Sequence, residues 1–513
     1  MNGAHSVIRT LIAAGVNTCF GNPGTSEMHF VAALDDYPGM RSILGLTESV
    51  VTGAADGYGR MADRPAATLL HCGPGLANGL SNLHNARRAG TPIVNIVGDH
   101  ATYHTSYDPP LNAPAETWAS PVSKWVKRST SAETAAQDCA DAIHWANTFP
   151  RGVATLILPS DAGWNGATGP AIAQPPATQA KAEEAAIARA GAALRRNEET
   201  VILLGGPVLR RPSIEVAGRI AAATGARLIA PAHIPRIERG GACAEIQRIP
   251  YSIDEAVRFF AGVRHLITVC ARPPVAFFAY PGKPQAPTPD DIEIHALVDD
   301  SEDGADALCR LADHLDAPRQ IGLEAPPGPS ASTGEISSSA VAQSLAALMP
   351  EDAVIVDESV SFGRAFFAGT RHAPRHDWLQ LTGGAIGLGI PMATGAAVAV
   401  PGRRVINLQA DGSALYSVQG LWTQAREKLD VTTVILSNRR YAILLGELAN
   451  VGATAGKAAL DMMSLSRPEV NWQALATSFG VEAAVARTMP EFNDLLRTSS
   501  KRAGPFLIEL VVP

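Results

Sequence analysis

The chain has 513 residues, 46% hydrophobic and 18% charged, with a formal net charge of −7. That length exceeds what one hydrophobic core holds and predicts about three domains, while the composition is that of a globular, well-buried protein. The acidic balance excludes the basic face that a nucleic-acid partner needs. Six scattered cysteines, none in a Cys-x-x-Cys pair, argue against a zinc site or disulfide framework and for a reducing compartment. No apolar stretch reaches membrane-spanning length, and the first residues carry no extended apolar leader core, so a cytoplasmic location without membrane partners is expected.

In chain order, residues 6–14 read as a helix closed by Gly15. Residues 18–20 form a short strand, ended by the turn cluster Gly21-Asn22-Pro23-Gly24. A strand at 42–46, a helix at 49–61 and a strand at 67–70 follow. Gly73-Pro74-Gly75 then leads into a helix at 76–89 and a strand at 92–97. This alternation predicts a doubly wound α/β domain over 1–165. Residues 166–180, rich in Pro, Ala and Gln, read as a linker. A central α/β domain over 182–323 carries strands at 201–204, 227–229, 265–269 and 293–297. A Pro-, Gly- and Ser-rich linker at 324–334 separates it from a third domain over 335–513. The expected fold class is α/β, with three doubly wound parallel-sheet domains.

Asp411 closes the apolar run 404–410, and Asn438 follows the run 431–436, 27 positions later. Both runs read as buried strands, with a helix at 418–429 between them. The parallel strands of such a unit end on one sheet edge, where α/β sheets bind ligands. A carboxylate and an amide oxygen suit Mg²⁺ or Ca²⁺, with phosphate oxygens completing the shell. Gly412 and Ser413 open the following helix, whose N–H groups suit an anion. An ordinary strand–helix–strand unit with an Asp and an Asn in its loops accounts for the segment equally well. Glu48 stands at a strand-to-helix junction, where an acid also serves the helix dipole. His71 ends a strand before a glycine-rich turn, and no Gly-x-Gly-x-x-Gly follows a first strand, which removes a nicotinamide oxidoreductase.

The segment Ala410-Asp411-Gly412 followed by Ser437-Asn438 resembles the diphosphate signature of thiamine-diphosphate (ThDP) enzymes, Gly-Asp-Gly then Asn-Asn. Ala410 replaces the first Gly and Ser437 the first Asn. The resemblance implies Asp411, Asn438 and the main-chain oxygen of Arg440 as metal ligands. Glu48, followed by Ala54-Ala55-Asp56-Gly57-Tyr58, resembles the acetolactate synthase and benzoylformate decarboxylase group. There the Glu hydrogen-bonds N1′ of the cofactor, so that the 4′-imine removes the C2 proton. The C2 ylid attacks the substrate and an enamine follows decarboxylation. The loop 21–27 closely resembles that of benzoylformate decarboxylase, with Thr25 for its carboxylate-binding Ser, and His71 matches a proton-transfer His. Asn78 and Asn82 are expected in the same cleft.

The stretch 381–391 resembles the family's Gly-Gly-x-Gly segment, implying that the Gly384 carbonyl accepts from the 4′-amino group and that Ile386 bends the cofactor. Ser359, Ser361 and Tyr441 are expected beside the cofactor, and Phe277, Phe278, Ala442 and Leu445 around the substrate. Residues 272–282 hold no His where benzoylformate decarboxylase has its second one, and His100 and His104 are candidates to replace it. The activity implied is a ThDP- and Mg²⁺-dependent 2-oxo acid decarboxylase, with an aromatic or branched substrate. The alternatives are an acetolactate synthase-type carboligase, and a non-catalytic ThDP-fold binding or regulatory protein. The family builds one active centre from two subunits, which implies at least a homodimer and a homotetramer as the common form. FAD is not expected, because 204–208 give only a generic strand–turn.

Overall fold

A computed structural model describes residues 1–324 and 327–513; part of the second predicted linker, at 325 and 326, lies outside the described residues. Three sheets carry the fold. The first contains β1 (Thr18–Gly21), β2 (Arg41–Leu44), β3 (Ala66–Leu70), β4 (Ile93–Asp99), β5 (Trp125–Arg128) and β6 (Val153–Pro159). All six are parallel, in the order β2-β1-β3-β4-β6-β5. Its inner strands β3, β4 and β6 are buried throughout, because helices cover both faces. Val7, Ile8 and Leu11 of helix Gly3–Ala13 join Cys139 and Ile143 of helix Ala132–Asn147 against Leu69, Val94, Ile96 and Leu156. Helices Glu48–Ala62 and Cys72–Ala89 cover the other face.

The central segment contributes β7 (Thr200–Leu204), β8 (Arg227–Ala230), β9 (Ile237–Arg239), β10 (Gln247–Arg248), β11 (His265–Val269) and β12 (Glu293–Val298). Five of these form a parallel sheet ordered β10-β8-β7-β11-β12. The last segment contributes β13 (Ala353–Glu358), β14 (His376–Gln380), β15 (Val405–Ala410), β16 (Val431–Ser437), β17 (Glu482–Ala486) and β18 (Phe506–Val511). Its sheet runs β17-β18-β16-β15-β13-β14-β9.

One feature departs from the expectation of three wholly parallel, self-contained sheets. The short β9 leaves the central segment and pairs antiparallel with β14, Ile237 opposite Trp378. It covers what would otherwise be an open edge. Arg236, one residue earlier, is buried and anchors the crossover with Nε 2.6 Å from Asp377 Oδ1.

The first and third units also share a core. Helix Gly389–Ala399 lies against helix Glu48–Ala62 closely enough that a Cβ on Gly57 would sit 2.1 Å from Met392 O, and one on Gly395 1.8 Å from Ala54 O. Glycine at both positions allows this backbone contact. The buried Arg60 reinforces it by gripping Asp56 Oδ2 at 2.6 Å and donating to Gln380 O at 2.7 Å. The Ala-Asp-Gly-Tyr-Gly-Arg stretch thus joins two units as well as following Glu48.

Candidate active site

Strand order places the chemistry. In the first sheet the chain leaves β1 for β2 on one side, then returns to lay β3 on the other, making a switch point between β1 and β3. The crevice beyond the carboxyl ends of such a pair is a ligand site. The loop after β1 brings Thr25, Ser26 and Glu27 there, and the end of β3 brings His71. Thr25 is exposed at the start of the 3-10 turn Thr25–Glu27, while Glu27 is buried. Glu27 Oε2 lies 3.0 Å from His71 Nδ1 and accepts the backbone N–H of Gly24 at 2.7 Å. Ser26 Oγ bonds the other Glu27 oxygen, and stands 3.1 Å from His71 Nδ1 and 3.0 Å from Cys72 Sγ. Burial pushes the Cys72 thiol up, and Glu27 adds to the rise. Cys72 holds a left-handed backbone at φ 52°, a conformation that costs free energy and concentrates at functional sites. Glu27 was passed over in the sequence because its partner is 44 residues away.

Glu48 is the first residue of its helix and is buried. Asn78 Nδ2 donates to its Oε2 at 3.1 Å, and Gly75 leaves room beside Oε1. Asn82 instead donates to Ser49 O at 2.8 Å, holding the start of that helix. His100 and His104 stack edge-on, with ring centroids 5.9 Å apart. Burial lowers the pKa of His100, and His104 and His71 lower it further.

The third sheet has its own switch point, between β13 and β15. Glu358 ends β13 and Asp411 follows β15. Ala410 pairs with Leu436 in the β15–β16 register, so the two loops leave side by side, as the strand–helix–strand spacing predicted. The predicted connecting helix is shorter, at Gly420–Arg426. Asp411 begins the short helix Asp411–Ala414 and is buried. Its Oδ1 accepts Gly412 N at 2.8 Å, and its Oδ2 accepts Arg439 N at 2.6 Å. Arg439 reaches that position with φ 58°. Burial pushes the Asp411 carboxyl up, while these backbone donors hold it down.

No basic side chain pairs with Asp411 among the described residues. A buried carboxylate lacking a cation, beside an Asn, fits a divalent ion by its donor chemistry. Asn438 Oδ1 accepts Arg440 N at 3.1 Å. The bridge from Arg440 to Ser464 is closed by Tyr441 N and Arg439 O, and leaves Arg440 O unused by those bonds. Tyr441 lies over Gly412, where a Cβ would meet its ring at 2.5 Å. Ser413 Oγ is engaged by Gln409 Nε2 at 2.6 Å and Ala410 O at 3.0 Å, which leaves backbone N–H as this turn's offer to an anion. Ser359 Oγ donates to Asp357 Oδ1 at 2.5 Å, and Ser361 starts the turn Phe362–Ala365.

Glu358, which no sequence pattern singles out, holds the glycine segment over this crevice. Its carboxylate accepts Gly387 N at 2.7 Å, Gly389 N at 2.6 Å and Gln409 Nε2 at 2.9 Å. Burial raises its pKa against the pull of those donors. Asn85 holds the other end of the segment, accepting Gly383 N at 3.1 Å and donating to Ala385 O at 2.8 Å. Gly384 has φ 78°, and Phe277 of the central segment packs on it, 2.8 Å from where a Cβ would stand. Ile386 is half-buried beside it. Phe277 stacks with Phe278 and Tyr251. Tyr280 Oη donates to Glu447 Oε2 at 2.6 Å, tying this loop to helix Ala442–Asn450. Ala442 and Leu445 lie on that helix, half-buried. The loop that carries Phe277 and Phe278 is therefore tied to the helix that carries Ala442 and Leu445.

Comparison with known proteins agrees with this architecture. Residues 1–121 match the thiamine pyrophosphate enzyme N-terminal TPP binding domain, and residues 363–510 the C-terminal TPP binding domain. The chain belongs to the thiamine pyrophosphate enzymes. It is 47% identical to the Mycobacterium tuberculosis protein named "Putative acetolactate synthase large subunit IlvX", over 100% of this chain and 99% of that one. It is 29% identical to Pseudomonas aeruginosa benzoylformate decarboxylase, over 97% of this chain and 96% of the other. The Rhodococcus jostii RHA1 thiamine diphosphate-dependent 4-hydroxybenzoylformate decarboxylase superposes with a TM-score of 0.85 at 24% identity, covering 100% and 99% of the two chains, and shares the fold. The protein is a ThDP-dependent enzyme of a lyase or transferase class. Among the described residues no helix is long and apolar enough to cross a membrane.

Proposed function

We propose that this enzyme decarboxylates a 2-oxo acid with ThDP and Mg²⁺, using residues 1–165 for the pyrimidine, 335–513 for the diphosphate and metal, and 182–323 as the central domain. The observation that carries the reading is the Thr25–Ser26–Glu27–His71 cluster at the β1/β3 switch point. Ser26 Oγ and the Glu27 carboxylate flank His71 Nδ1, and Thr25, one residue earlier and exposed, would offer its hydroxyl to the substrate carboxylate. ThDP supplies an electron sink for the carbonyl carbon. The chain's own groups do the rest. Asp411, Asn438 and the Arg440 carbonyl would hold the metal. Glu48, oriented by Asn78, would hydrogen-bond the pyrimidine ring. With Glu27 accepting from Nδ1, His71 carries its proton there and presents the Nε2 lone pair to the cleft. Phe277, Phe278 and Leu445 favour an aromatic or branched side chain.

Because the family pairs the Glu of one subunit with the metal site of another, the working form is at least a homodimer, with a homotetramer expected. A second reading, acetolactate-type carboligation, is favoured by the 47% identical relative's name and by the missing His in 272–282. Incubation with ThDP, Mg²⁺ and a panel of 2-oxo acids, following CO₂ and carbon–carbon products, separates them. Aldehyde alone supports decarboxylation, and an acyloin or acetohydroxy acid supports carboligation. ThDP binding without turnover of any 2-oxo acid sinks both.

A further inference from the structure

We propose that His265, Glu293 and His295 form a binding site for a divalent transition ion, Zn²⁺ above others, at the rim of the central sheet. β11 and β12 run parallel with His265 opposite Glu293 and Ile267 opposite His295. Alternation along a strand then puts the three side chains on one face. His265 Nδ1 is 3.2 Å from His295 Nε2, and Glu293 Oε2 is 3.6 Å from the first and 3.7 Å from the second. Ligands bound at about 2.0–2.2 Å to one tetrahedral ion stand about 3.3–3.6 Å apart. The triangle is close to three corners of that tetrahedron. Glu293 is 55% exposed, so the fourth corner opens to water.

A second, independent observation fixes the ligand chemistry. Glu198 Oε2 lies 2.7 Å from Nε2 of His265, whose side chain is 1% exposed. The carboxylate accepts a hydrogen bond from Nε2–H, assigning the tautomer whose Nδ1 lone pair faces the triangle. A carboxylate behind a metal-ligating His is the usual outer-shell arrangement. Arg196 Nη1, 3.5 Å from Glu293 Oε2, is the competing cation, and Arg189 and Arg264 stand further out. Displacing an exposed pair of that kind costs little. Cysteine pairs are the sequence mark of a zinc site, and this one contains none, so it left no such mark. Imidazole nitrogens set it apart from the all-oxygen Asp411–Asn438 pair, which suits Mg²⁺.

The full-length protein, saturated with ThDP and Mg²⁺, is titrated with Zn²⁺ alone by equilibrium dialysis. His295→Ala and Glu293→Gln change this site. Cys72→Ser controls for the Glu27–His71–Cys72 cluster, where a metal could also lodge. Wild type is expected to bind one equivalent more than His295→Ala, and Glu293→Gln to bind it about tenfold more weakly. The Co²⁺-loaded protein should show tetrahedral d–d absorption without a thiolate charge-transfer band, lost in His295→Ala. Both variants lie on a partly exposed rim, and circular dichroism checks their folding. Equal stoichiometry in wild type and the two rim variants, or loss of the bound ion in Cys72→Ser instead, overturns the proposal.

Discussion

The carboxylate of Glu27 lies 3.0 Å from Nδ1 of His71, joining the loop after β1 to the loop after β3 across the switch point of the first sheet. The bond fixes the imidazole's tautomer and its aim. His71→Ala is expected to lower kcat/KM by about 10²–10⁴-fold, the usual worth of a positioned proton carrier. Glu27→Gln keeps the shape but loses the charged acceptor, worth about 1.5–3 kcal/mol, and should cost about tenfold to a hundredfold. Steady-state kinetics on the best 2-oxo acid measures both; unchanged kcat in His71→Ala would remove the imidazole from the mechanism.

Asp411 and Glu358 are both pushed up by burial. An acid raised in the folded state stabilises folding below its ordinary pKa of about 4 and withdraws that stability as pH rises through the raised value. The cofactor-free protein should therefore lose stability with rising pH in the range just above pH 4. Mg²⁺ with ThDP, by neutralising Asp411, should restore it. The thermal shift on adding both is expected to grow with pH across that window, and to be largely lost in Asp411→Ala. A shift independent of pH would contradict the assignment.

Glu358 holds four groups, Gly387 N, Leu388 N, Gly389 N and Gln409 Nε2, with one carboxylate. Glu358→Ala leaves buried donors unpaired and should cost about 3 kcal/mol in chemical denaturation. It should also weaken ThDP binding, because the glycine segment loses its anchor. Stability lost with ThDP affinity kept would confine Glu358 to folding.

Gly395 meets Ala54 O where its Cβ would stand, at 1.8 Å. Gly395→Ala is expected to destabilise by up to about 3 kcal/mol through overpacking, read from the urea midpoint. A neutral effect would show that the two helices can slide apart.

The placement of Asp411 and Asn438 was legible because strand–helix–strand spacing is local: the two had to leave adjacent parallel strands together, and they do. Glu48 was legible through the motif behind it. Glu358 and Glu27 were not, since each works through partners brought close only by the folded topology. β9 was missed because three residues carry too little periodicity to declare a strand, and none to declare its partner sheet. The Ser413 hydroxyl is bonded to Gln409 Nε2, whose side chain the strand pattern treats as merely inward-facing, and the expected backbone N–H groups are what this turn offers an anion.

The central claim is that Glu48, steadied by Asn78, activates a cofactor anchored at Asp411 and Asn438. Its most direct test is the rate of hydrogen–deuterium exchange at C2 of bound ThDP, by quenched-flow NMR, in wild type and Glu48→Gln. The account predicts fast exchange in wild type and a slowing of about 10²–10⁴-fold in the variant, with ThDP still bound. Equal rates in the two proteins would contradict it.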